Sequence, residues 1–179
     1  MRRIEVAELS LTTLDALDVD AIGLLVGEER PLQGLAGLVD WRLAGALTRA
    51  LAGGLYAAAP GEALLLPTAG RFPVARVVVQ GLAPGGGEGG FAAAVARLAA
   101  VMARAGAASF AAGALPVEGL GVAEACRAWL AAAAGPAGER LVLLGEPRVL
   151  TAELAAARIA SRIEIEVVGF SAGAVAMVR

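Results

Sequence analysis

Four groups of residues have types and spacings that could do chemistry. The first is Gly169-Phe170-Ser171-Ala172-Gly173, which matches G-x-S-x-G. That elbow exposes a serine hydroxyl at a strand-to-helix turn and needs a histidine to take the serine proton. The chain has no histidine and no lysine, and six residues follow Gly173, too few for the helix the elbow requires. Ser171 therefore reads as part of a terminal turn. The second group is Gly85-Gly86-Gly87-Glu88-Gly89-Gly90, a G-x-G-x-x-G match between an expected strand and an expected helix. Backbone N–H groups and a helix N-terminus in that position could cradle a diphosphate. Gly81 to Pro84 separate it from the strand, however, and no carboxylate ends the next strand at Ala107 to Ala112, so the plainer reading is a surface loop.

The third group is Asp18-Val19-Asp20, whose two carboxylates share a strand face. A hard cation takes about six oxygens. No third ligand is evident, so these residues read as a turn into a strand, with no metal. The fourth is Cys126, on the apolar stripe of a helix beside Trp129 and without a histidine to activate it; it reads as a small buried hydrophobe. Trp41 and Trp129 read as core or interface anchors, and Glu28-Glu29-Arg30 as a solvated loop. No catalytic residue and no cofactor follow from these motifs.

Composition sets the frame. The chain has 179 residues, the length of a single domain spanning 1–179. Hydrophobic residues make up 58%, much of it alanine, and aromatics 4%; the mean hydropathy is +0.72. No apolar run reaches the roughly 20 residues of a membrane span, and the N-terminus turns acidic at Glu5 without a signal-peptide pattern. A single cysteine excludes an internal disulfide. Together these features suggest a cytoplasmic protein with no membrane partner. The basic residues are all arginine and are scattered, so nothing argues for nucleic acid.

The elements that would position these residues alternate. Arg3 to Leu9, Asp20 to Val26, Glu62 to Leu66, Val74 to Gln80, Ala107 to Ala112 and Leu141 to Leu144 read as strands, and Ile163 to Val167 as an edge strand with one wet face. Helical spacing runs through Leu32, Leu35, Val39, Leu43, Leu47 and Leu51, opened by Pro31 and stopped at Gly53-Gly54. A second stripe is Phe91, Val95, Leu98 and Met102; further helices cover Val122 to Leu130 and Thr151 to Ser161. The short link Thr68 to Pro73 makes its two flanking strands antiparallel. The result is a three-layer α/β/α sandwich with a mixed sheet.

Three segments carry a family resemblance. Asp20-Ala21-Ile22-Gly23-Leu24-Leu25-Val26 with Arg30-Pro31-Leu32 and Leu35 to Leu47, then Pro60 to Thr68, then Arg76 to Leu82, resemble the N-terminal domain of leucyl aminopeptidases of the M17 peptidase family. The resemblance implies a macro-domain-like fold, which elsewhere holds ADP-ribose. It implies no chemistry. The family's two-metal site lies in its C-terminal domain, around a signature absent here, and needs lysines that this chain lacks. The expected function is that of a non-catalytic stand-alone relative of this domain, acting in assembly or regulation. It would form a homo-oligomer or join a catalytic M17 partner. The end of the chain, Leu141 to Val168, departs from the family pattern with a strand, a helix and an edge strand, and looks like a domain completed on its own. An alternative is a nucleotide or ADP-ribose binder, with Gly85, Gly86, Gly87, Gly89 and Gly90 around the diphosphate and Ser10 and Asp20 near the ligand. A third reading keeps the aminopeptidase likeness in sequence only, without the metal-site residues.

Overall fold

The computed structural model describes residues 3–28, 30–83, 87–115, 120–135 and 139–170, with the backbone alone at 87 and 88. Seven strands form one sheet: β1 (Arg3–Glu8), β2 (Ala21–Val26), β3 (Ala63–Pro67), β4 (Arg76–Gly81), β5 (Ser109–Gly113), β6 (Arg140–Gly145) and β7 (Glu166–Gly169). Their order is β3-β4-β2-β5-β6-β1-β7. All neighbours are parallel except β3 and β4, the antiparallel pair expected from the short link.

Alternation along the strands supplies two cores. Ile4, Val6, Leu25, Val78, Phe110, Leu141 and Leu143 face α4 (Gly87–Arg104), α5 (Val122–Ala134) and α6 (Pro147–Ser161). Ala7, Leu24, Val26, Val77, Val79, Val142 and Leu144 face α1 (Leu11–Asp15), α2 (Gly34–Arg42) and α3 (Ala46–Ala52). Burial on both faces explains the near-continuous apolar strands β2, β4 and β6. The layered α/β/α arrangement with a mixed sheet is thus present. Phe91, Val95, Leu98 and Met102 are all buried along α4, as their spacing predicts.

Several expectations need correction. The helical stripe from Pro31 to Leu51 is two helices. The chain breaks at Ala44 and Gly45, which have φ of 55° and 78°. The break is held from a distance by Asp40, a buried residue near the end of α2. Its Oδ1 accepts from the backbone N–H of Leu47 (2.8 Å) and Thr48 (3.1 Å), and its Oδ2 from the Thr48 hydroxyl (2.5 Å). Asp40 therefore does for α3 what Gly45, at the N-cap, has no side chain to do. The first strand ends at Glu8, and Ser10 caps α1, a helix that the apolar pattern did not reveal, by accepting from Thr13 N–H at 3.1 Å. α6 opens at Pro147 rather than Thr151, because proline's missing N–H costs nothing in a first turn. β7 begins at Glu166, later than the alternation from Ile163, although it is an edge strand as expected. Trp129 is a core anchor; Trp41 is 66% exposed and belongs to no core.

Candidate functional site

Because six strands are parallel, their amino ends share one edge of the sheet and their carboxyl ends the other. An ionic cluster around the buried Glu5 sits toward the amino edge. Glu5, fully enclosed, accepts from Arg140 Nε and Nη2 at 2.9 Å each and from Arg3 Nε at 2.8 Å. Arg140 also donates to Asp18 Oδ1 at 2.8 Å. Burial alone would raise the Glu5 pKa, but the hydrogen bonds from Arg140 and Arg3 outweigh it and hold the carboxyl below its ordinary value. The same bonds, from Glu5 above all, push the Arg140 guanidinium up.

Asp20 belongs to this edge. Its carboxylate accepts from Ser109 N–H at 2.8 Å and Ser109 Oγ at 3.1 Å, while its own N–H donates to Ser109. These bonds, led by the Ser109 backbone, keep the Asp20 carboxyl low. Asp20 is a clip between β2 and β5. Asp18 and Asp20 thus point their carboxylates at Arg140 and Ser109 rather than at a common centre. Cys126 is buried on α5, and its surroundings, with Glu153 nearby, push the thiol up to about 11.

The carboxyl edge is different. Leaving β2, the chain passes through α2 and α3 on one face; leaving the neighbouring strand β5, it passes through α5 on the other. Connections that part in this way leave a crevice beyond the strand ends, where open α/β sheets bind ligands. A cavity of about 340 Å³ lies there. Gly23, Leu24 and Leu25 of β2, Gly113 of β5, Leu144 and Gly145 of β6 and Leu9 after β1 form one side. Gln33, Leu35 and Ala36 at the start of α2, Val122 and Trp129 of α5, and Glu146, Val149 and Leu150 at the start of α6 form the rest, with Leu115 at the rim. The Trp129 indole N–H donates to Ala114 C=O at 3.1 Å, and its ring meets Phe91 edge-on at 6.2 Å. The indole is therefore fixed as a wall, with its polar atom satisfied. Gly145 keeps this end open for α6: a Cβ there would lie 2.8 Å from Leu150 Cδ1.

The residues singled out in the sequence are not gathered at this cavity. Ser10 is one residue beyond Leu9, with its hydroxyl engaged on Thr13. Asp20 is at the opposite edge. Gly87, Gly89 and Gly90 form the first turn of α4, and Gly89 and Gly90 are not among the described residues that line the cavity. Gly85, Gly86 and Ser171 lie outside the described residues. The cavity residues themselves give no sequence signal: they are single apolar residues and strand-end glycines drawn from separate segments. Among the described residues no group of three His, Cys, Asp or Glu side chains could hold a metal. No described helix is long and apolar enough to cross a membrane.

The sequence matches no family model and no curated protein. The structure is similar to solved macrodomains. It matches a mutant Oceanobacillus iheyensis macrodomain with ADPR at a TM-score of 0.65 and 13% identity, over 89% of this chain and 92% of that one. It matches the Trypanosoma brucei macrodomain in complex with ADP at a TM-score of 0.65 and 16% identity, over 87% and 69%. The fold is macrodomain-like. A mutant tomato leucine aminopeptidase also matches, at a TM-score of 0.61 and 15% identity, over 88% of this chain. The macrodomain-like chain spans 36% of that aminopeptidase's length. The expected fold is therefore present, and the aminopeptidase likeness extends to part of that enzyme's architecture.

Proposed function

We propose that this chain is a non-catalytic binding module that takes a small molecule in the cavity at the carboxyl edge. The observation that carries this is the cavity's position, over the ends of adjacent parallel strands whose connections diverge, with a volume in the range of small-ligand sites. The ADPR and ADP bound to similar macrodomains make these two nucleotides the first probes. The absence of histidine and lysine supports binding without turnover. A cytoplasmic setting is part of this reading.

The test is a thermal-shift and calorimetric panel of ADP-ribose, ADP and small apolar compounds, repeated on Ala36→Trp, whose indole would fill the cavity. Binding that this variant abolishes supports the site. A panel without a single binder, or binders indifferent to Ala36→Trp, sinks it. Leucyl-amide turnover by pure protein with Mn²⁺ or Zn²⁺ would overturn the non-catalytic part.

A second reading, assembly as a homo-oligomer or with a separately encoded catalytic M17 partner, is favoured by β3. That strand is an open edge, and its Leu65 is 62% exposed. Sedimentation at rising concentration tests self-association, with a dimer or larger species expected and a monomer throughout counting against it.

A further inference from the structure

If the cavity is the ligand site, as proposed above, its chemistry narrows what it can hold. Among the described residues that line it, only Gln33 and Glu146 offer polar side chains, and no arginine is among them. The helix ends do not favour an anion either. Glu146 occupies the N-cap of α6 and Glu124 the first turn of α5, so each helix already carries a carboxylate at its positive end. Pro147 further removes an N–H donor from the start of α6. Glu146 is exposed at the rim, and no described group pairs with its carboxylate. The interior beneath it is lined by Leu, Val, Gly and the buried Trp129.

We infer that the cavity selects a small apolar molecule bearing a protonated amine, with the apolar body against Trp129 and Leu144 and the ammonium on Glu146. A phosphate or carboxylate in the same place would meet Glu146 and find no described cation.

One ring system with three head groups tests this: tryptamine, indole and indole-3-acetate, by calorimetry at pH 7.5, beside ADP-ribose. Tryptamine is expected to bind about five- to tenfold more tightly than indole, a modest factor because Glu146 is partly in water. Indole-3-acetate should be weakest. In Glu146→Gln, tryptamine should fall to the level of indole while indole is unchanged, and Ala36→Trp should weaken all. The inference is overturned if indole-3-acetate binds best, or if Glu146→Gln leaves tryptamine untouched. If ADP-ribose binds, Ala36→Trp abolishes that binding and the indoles do not bind, the cavity stands as the site and the amine preference falls. If no probe binds, both fall.

Discussion

Replacing Glu5 by glutamine tests the ionic lock at the amino edge. The Glu5 side chain is 3% exposed and that of Arg140 19%. Removing one partner of a buried pair costs about 3–5 kcal/mol, because the other charge stays buried without compensation. Here Arg140 keeps Asp18, and glutamine keeps one acceptor oxygen, so the loss should be about 2–3 kcal/mol. For a chain of this length that corresponds to a fall in Tm of about 5–10 °C. The pH dependence gives the sharper check. Glu5 titrates lower in the folded protein than its ordinary 4.5. Its stabilisation is therefore fully present above the unfolded value and is lost as pH falls through the folded one. Melting of the parent and of Glu5→Gln should differ fully at pH 7 and at pH 5.5. The gap should begin to narrow as pH falls below the ordinary 4.5 and close only below the lower folded value, where the parent's own carboxyl is neutral. Equal Tm values at pH 7, or a gap that widens in acid, would refute the reasoning.

Asp40→Ala should cost about 2–4 kcal/mol in urea unfolding, since it strips two N–H groups and a hydroxyl of a charged acceptor; Asp40→Asn should recover part of that, and a loss under 0.5 kcal/mol would mean that Asp40 does not hold α3. Cys126, with its thiol pushed up to about 11, should react with iodoacetamide at pH 8 only after denaturation; prompt labelling of the folded protein would contradict its burial. The Tyr56 hydroxyl is buried without a hydrogen-bond partner among the described residues, and burial, then Glu62, raises its pKa. Tyr56→Phe should therefore stabilise the fold by up to about 1 kcal/mol, and a loss of stability would reveal a partner for the hydroxyl.

What could be read in the sequence was what depends on neighbours along the chain. The stripe Phe91, Val95, Leu98 and Met102 fixes one face of α4 by spacing alone, and the short link after Pro67 fixes the antiparallel pair. What escaped depends on residues far apart. α2 and α3 read as one helix because Leu32 through Leu51 keep helical spacing, whereas Asp40 holds the break from seven and eight positions upstream. Asp20 has the residue type of a ligand contact but is spent on Ser109, 89 residues away. A carboxylate shows its role in a sequence only when its partner is a sequence neighbour. The cavity was invisible for the same reason, since Leu9, Gly113 and Gly145 become a wall only when β1, β5 and β6 end side by side.

The parallel sheet divides labour between its two edges. At the amino edge, Arg3, Glu5, Asp18 and Arg140 form one connected network, and the Asp20–Ser109 clip ties β2 to β5. Charges committed in this way are structural, because moving any of them toward a ligand would break a bond between strands. At the carboxyl edge Gln80 ties β4 to Glu62 by an uncharged hydrogen bond, and no ion pair between described residues joins strands there: α2, α5 and α6 start there on apolar contacts, and Glu146 at the rim has no strand to hold. A carboxylate in water over an apolar hollow costs the folded chain nothing in desolvation and is free to be covered. That asymmetry lets binding properties change at one edge while the fold is held at the other. It also leaves Glu146, rather than Asp18 and Asp20, as the carboxylate available to the proposed ligand.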